Sequence, residues 1–175
     1  MVTTLGRWPS LPANDVEPDD LLVAIGLVSG AQFQARLARR GTQHVLDRLN
    51  NLLEPMLQLS AAAPHAGRTA ARLVLARSEL AWMYPLQASA GERPTSGSGS
   101  PVAHAIRAHV GAFEVRGTPQ LFHHQIDWAD YLLACSNDGR FFGLADAAIT
   151  GPTTELHVPV LAVNAARVGA LLTLD

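Results

Sequence analysis

The chain has 175 residues, 48% of them hydrophobic and 16% charged, with a formal net charge of −2 at pH 7. This is enough for one ordinary domain or two small ones with a real core, which excludes disorder of the whole chain. The charge balance excludes the overall basic surface that phosphate neutralisation demands, and a single cysteine, Cys135, excludes an intrachain disulfide.

The low charge content favours association, so self-association or a protein partner is expected. Every basic residue is arginine, which reads as a compositional bias alongside the wealth of Ala, Leu and Gly. The N-terminus lacks the apolar core of a signal peptide, and no run approaches 18 consecutive apolar residues. The expectation is a cytoplasmic protein without a membrane span.

Residues 1–19 read as an N-terminal arm without period. Over 20–38, Phe33, Ala35 and Leu37 alternate with Gln32, Gln34 and Arg36, the period of a strand, and Ser29-Gly30 marks a turn. Thr42 is placed to cap a short helix carrying Val45, Leu46 and Leu49. A strand follows over 56–63, a turn over 64–67, and a strand pair over 69–84 broken near Ser78-Glu79. Residues 86–101, LQASAGERPTSGSGSP, have the composition of a flexible linker.

The second half runs in the same order. One or two strands are expected over 102–116, punctuated by Gly111 and by Gly117-Thr118-Pro119. Asp127 caps a helix over 128–134, and Ser136-Asn137-Asp138-Gly139 is a turn signal. Strands follow over 140–149, 156–163 and 167–174, separated by Gly151-Pro152 and Asn164-Ala165.

The two halves share more than order. Asp47 aligns with Asp130, Leu49 with Leu132, Leu59 with Leu144, and Leu75-Ala76 with Leu161-Ala162. Self-similarity of this kind predicts one supersecondary unit used twice. The expected fold is mainly β, a β-rich α+β protein in which two copies of a small barrel-like β-β-α-β-β unit, residues 20–85 and 102–175, are related by a pseudo-two-fold axis.

The segments DYLLA (130–134), FGLADAA (142–148) and VLAVN (160–164), with LDRLN (46–50) and LVLAR (73–77) in the first half, carry a resemblance. The chain resembles short bacterial proteins with a small Sm-like or SH3-like β-barrel. The resemblance covers about two thirds of the chain. It implies a barrel fold and supplies no catalytic residues.

Several side chains invite chemistry. His104, His109, His123, His124 and His157 suggest a metal, but adjacent strand histidines face opposite ways and no H-x-x-x-H or C-x-x-C frame is present. No metal or cofactor is expected. Asp127, Asp130, Asp138 and Asp146 read as cap, repeat-specific, turn and strand-end residues rather than an acid–base pair. Arg36, Arg39 and Arg40, with Arg48 nearby, form the one basic cluster and the candidate nucleic-acid contact. Trp128 and Tyr131 are candidates for a partner surface, because Trp and Tyr are favoured at interfaces; Phe141, Phe142, Trp82 and Tyr84 read as core. No catalytic residue is nominated. The expected function is a non-enzymatic binding or assembly module. The alternatives are an Sm-like nucleic-acid binder using the Arg36–Arg48 region and, more weakly, an enzyme with its site between the repeats.

Overall fold

A computed structural model describes residues 20–38, 45–65, 68–86, 104–120 and 128–173. The chain is mainly β. Ten strands form one antiparallel sheet: β1 (Leu21–Leu27), β2 (Gln32–Leu37), β3 (Met56–His65), β4 (Arg68–Ala76), β5 (Leu80–Pro85), β6 (Ile106–Val110), β7 (Phe113–Gln120), β8 (Phe141–Gly151), β9 (Thr154–Asn164) and β10 (Val168–Thr173). Two helices, α1 (Val45–Leu49) and α2 (Trp128–Asn137), link β2 to β3 and β7 to β8. One-turn 3-10 helices at Arg77–Glu79 and Ala165–Arg167 lead into β5 and β10.

The strand order is β10-β6-β7-β8-β9-β5-β1-β2-β3-β4. Strands from the first half of the chain therefore run β5-β1-β2-β3-β4, and those from the second run β10-β6-β7-β8-β9. The two series meet at a single seam, where β5 pairs with β9 through Trp82–Val163 and Met83–Ala162. Among the described residues, β10 and β4 are the two outer edges.

Local sequence explains most of these elements. Gly30 and Gly111 take positive φ, 92° and 60°, in the turns after β1 and β6, where a side chain is disfavoured. The break foreseen near Ser78-Glu79 is the 3-10 turn before β5. The turn foreseen at Asn164-Ala165 is the matching turn before β10, with the Asn164 side chain accepting from the Ala166 N–H at 3.1 Å.

Two sequence expectations are corrected here. Gly117-Thr118-Pro119 does not break the chain but lies inside β7. Gly117 sits where a Cβ would approach the Ala145 carbonyl oxygen to 2.8 Å, so the position needs close backbone contact rather than a turn. Pro119 is tolerated because pairing with β6 ends at Gly117, leaving that part of β7 bonded to β8 alone. Asp146 is not at a strand end either. It sits within β8 at φ 48°, where the register with β7 slips between Arg116 and Thr118.

Two apolar clusters hold the sheet. One is built mainly from the second half: Ile106, Ala108, Val110, Phe113, Val115, Phe142, Leu144, Ile149, Leu161 and Val163 with Leu132 of α2. The other is built mainly from the first half: Val23, Ile25, Phe33, Ala35, Leu57, Leu59, Leu80 and Met83 with Leu49 of α1. Leu49, Leu59, Leu132 and Leu144, aligned between the halves in the sequence, are all buried. The clusters exchange residues at the seam. Ala24, Ala81, Trp82 and Tyr84 of the first half join the second-half core, and Phe141 and Ala162 of the second half join the first-half core. Side chains alternate across a strand, so β5 and β9 each serve both cores.

Candidate functional site

The seam is the most elaborated place in the described structure. Its apolar centre is Trp82, fully buried, which meets Phe113 edge-on at 5.5 Å and stacks on Tyr84 at 6.0 Å. Arrangements of this kind add to the area an aromatic ring buries. Gly26 of β1 makes room for it: any Cβ there would overlap the indole.

A band of polar side chains closes one end of the seam. The Asn50 amide copies a strand pair, donating from Nδ2 to the Phe141 carbonyl at 2.9 Å and accepting the Phe141 N–H on Oδ1 at 2.7 Å. Asn164, buried, donates from Nδ2 to the Leu80 carbonyl at 2.9 Å, and Arg167 donates from Nε to the Ser78 carbonyl at 2.8 Å. Arg77, also buried, donates to the carbonyls of Asn51 and Gly139 at 2.7 and 3.0 Å. Burial lowers its pKa from the usual guanidinium value, and the two carbonyls take the place of water around the cation. Each of these four seam side chains, Asn50, Asn164, Arg167 and Arg77, bonds at least one backbone group of the other half, so the polar groups are spent on joining the halves.

The nominated residues separate on inspection. Arg48 is buried and forms a two-bond ion pair with Glu54, at 3.0 and 2.8 Å. It lies in the last turn of α1, tied to the turn that follows, and is removed from any exposed basic stripe. Arg36 lies on β2, half-buried, opposite Leu22 and Ser60. Arg39 and Arg40 lie outside the described residues, as do His123, His124, Asp127 and most of the 86–101 linker. Trp128 opens α2, and its side chain is likewise outside what is described. Tyr131 is half-buried against the second-half core. Desolvation, and then the neighbouring Cys135, push its phenol well above the usual range.

The nominated carboxylates among the described residues do not come together as a metal-binding group. Asp130 and Asp146 are exposed, and Asp138 pairs with Arg140 at 3.2 Å. Glu114 sits among Arg116, Arg107 and His109. The hydrogen bond from Arg116, reinforced by those charges, holds its carboxyl below the ordinary range. Among the described residues, no group of three or more metal-binding side chains comes together. No described helix is long and apolar enough to cross a membrane.

The signal that sequence reasoning missed is apolar. Among the described residues, six large hydrophobic side chains stand exposed: Leu52, Leu53, Met56, Val74, Leu133 and Leu172. Val74 lies on the outer strand β4 and Leu172 on the outer strand β10, at opposite ends of the sheet. No family model, curated protein or solved structure matches this chain.

Proposed function

We propose that the chain is a small five-strand module used twice, and that it works by associating with protein surfaces, its own included, rather than by catalysis. Three correspondences support the duplication. Each half places its strands in the same order around its own core, each has a helix between its second and third strands, and each enters its fifth strand through a 3-10 turn. On this reading the alignment moves by two residues. Leu59 pairs with Leu73 and its counterpart Leu144 pairs with Leu161, so Leu73, not Leu75, corresponds to Leu161. The likeness to a small Sm-like or SH3-like barrel is an expectation of the same reading.

The observation that carries the association is the set of large apolar side chains left in solvent at the two ends of the sheet. Scattered exposed leucines need no explanation, but apolar residues on open sheet edges mark places where another chain docks. Sedimentation velocity of the full chain over a range of concentrations tests this. A mass that climbs above 18.6 kDa is expected, and the monomer mass at every concentration would contradict it. The nucleic-acid alternative now rests on Arg36, Arg39 and Arg40 without Arg48. It predicts a salt-dependent shift on adding RNA or single-stranded DNA.

A further inference from the structure

The seam shows what this fold does when the fourth strand of one unit meets the fifth strand of another. The same two kinds of strand, β4 and β10, end the sheet with nothing described beside them. Matching the halves strand by strand turns this into a statement about side chains. Phe141 opens β8 and pairs with Asn164; Met56 opens β3 and pairs with Ala76. In the same register Ala162 pairs with Gly143, and Val74 with Gln58. Counting from the 3-10 turns, Trp82 and Tyr84 of β5 correspond to Ala170 and Leu172 of β10. The Asp-x-Leu match in the helices places Leu133 opposite Asn50.

The seam residues and their counterparts have opposite exposures. Phe141 is 1% exposed and Met56 47%; Ala162 is 5% and Val74 59%; Tyr84 is 5% and Leu172 55%. Asn50, half-buried against Phe141, corresponds to Leu133 at 61%. So, of the six large exposed hydrophobics among the described residues, three stand where the other half buries a seam residue and a fourth where it half-buries one. They also fall on the correct sides. Met56 and Val74 lie on the β3–β4 end, and Leu133 and Leu172 belong to α2 and β10. Val168 and Leu171 of β10 already pack on their own core, as Leu80 and Met83 of β5 do on theirs.

We infer that the β4 edge of one molecule pairs antiparallel with the β10 edge of the next, repeating the β5–β9 seam between copies. By transfer of the seam register, Leu75 faces Ala170 and Val74 faces Leu171 of the neighbour. Leu172 then covers the neighbour's first-half core, as Tyr84 covers the second-half core within the chain, and Met56 meets Leu133. The contact is heterologous, using different surfaces on the two partners, so it does not stop at a dimer but closes as a ring or continues as a chain. It is weaker than the internal seam. Ala170 replaces the Trp82 anchor, and Ala76 lacks the amide with which Asn164 bonds the facing strand.

This inference rests on the association reading above, and mixing separates the two. Val74→Lys blocks the β4 edge and Leu172→Lys the β10 edge; both positions are exposed, so each variant keeps the fold, as circular dichroism and thermal melting would verify. Wild type is expected to sediment as more than two copies. Each variant alone is expected as a monomer, and an equimolar mixture as a dimer, because each supplies the edge the other lacks. Assembly of one variant while the other is monomeric would show a symmetric edge contact and overturn the inference. Assembly of both variants as in wild type would overturn it while leaving association intact. A monomeric wild type would overturn both.

Discussion

β5 and β10 hold the same place in their halves of the sheet. Each pairs with the first strand of its half, and each is entered from a 3-10 turn. Yet five of six β5 residues are buried, whereas no residue of β10 is. Both strands turn Leu, Val or Met inward to their own core. The difference lies on the other flank: β5 has β9, and β10 has nothing described beside it. Burial of a strand here is thus set by its second neighbour as much as by its own sequence. The residues have adjusted to that neighbour, with Trp82 and Tyr84 where a second core must be filled and Ala170 and Leu172 where it is not.

Substitutions along the two strands sharpen this contrast. Trp82→Ala empties a fully buried ring site between Phe113 and Tyr84 and should cost about 3–5 kcal/mol in urea unfolding. A cost below about 1 kcal/mol would mean the seam is not a packed core. Leu49→Ala and Leu144→Ala, one in each core, should each cost about 2–5 kcal/mol and act additively, since the two cores are separate clusters. Asn164→Ala strands the buried Leu80 carbonyl and should cost about 1–3 kcal/mol. Gly26→Ala forces a methyl into the indole and should cost about 1–3 kcal/mol, with part recovered when Trp82 is also reduced to Phe. Leu172→Ala, the β10 counterpart of a change at Tyr84, should stay within about 0.5 kcal/mol when measured in dilute solution.

The strands were the legible part of the sequence. Alternation at Phe33, Ala35 and Leu37, the glycine turns, and the breaks at Ser78-Glu79 and Asn164-Ala165 are local signals, and local signals survive folding. The seam was not legible because its bonds span the chain. Asn50 and Phe141 are 91 positions apart, and Asn164 reaches Leu80 across 84. Nothing near Asn50 marks it as a side chain that will imitate a strand. Arg48 misled for a related reason. Its cluster with Arg36, Arg39 and Arg40 looks like a basic surface, but its partner, Glu54, lies on the far side of a turn. Under the duplication proposed above, matching Leu-Ala pairs by letter sets Leu75 against Leu161, whereas the strand pairing favours Leu73. In an Ala- and Leu-rich chain only the strand pairing separates such matches.

Tyr131 illustrates the same limit for interfaces. Aromatic character pointed to α2 as a partner surface, whereas Tyr131 spends much of its ring on the core beside Cys135. The exposed residues that the proposal sets against the seam are ordinary leucines, a valine and a methionine, which carry no interface signature in the sequence.

Hydrogen exchange, read peptide by peptide in dilute and in concentrated protein, tests most directly whether the neighbour decides the state of these strands. The account predicts that peptides of β5 and β9 are protected at both concentrations. Peptides of β4 and β10 should exchange faster when dilute and gain protection together as the mass rises. Equal protection of β4 and β10 in the dilute monomer, or a rise in mass without protection on either strand, would contradict it.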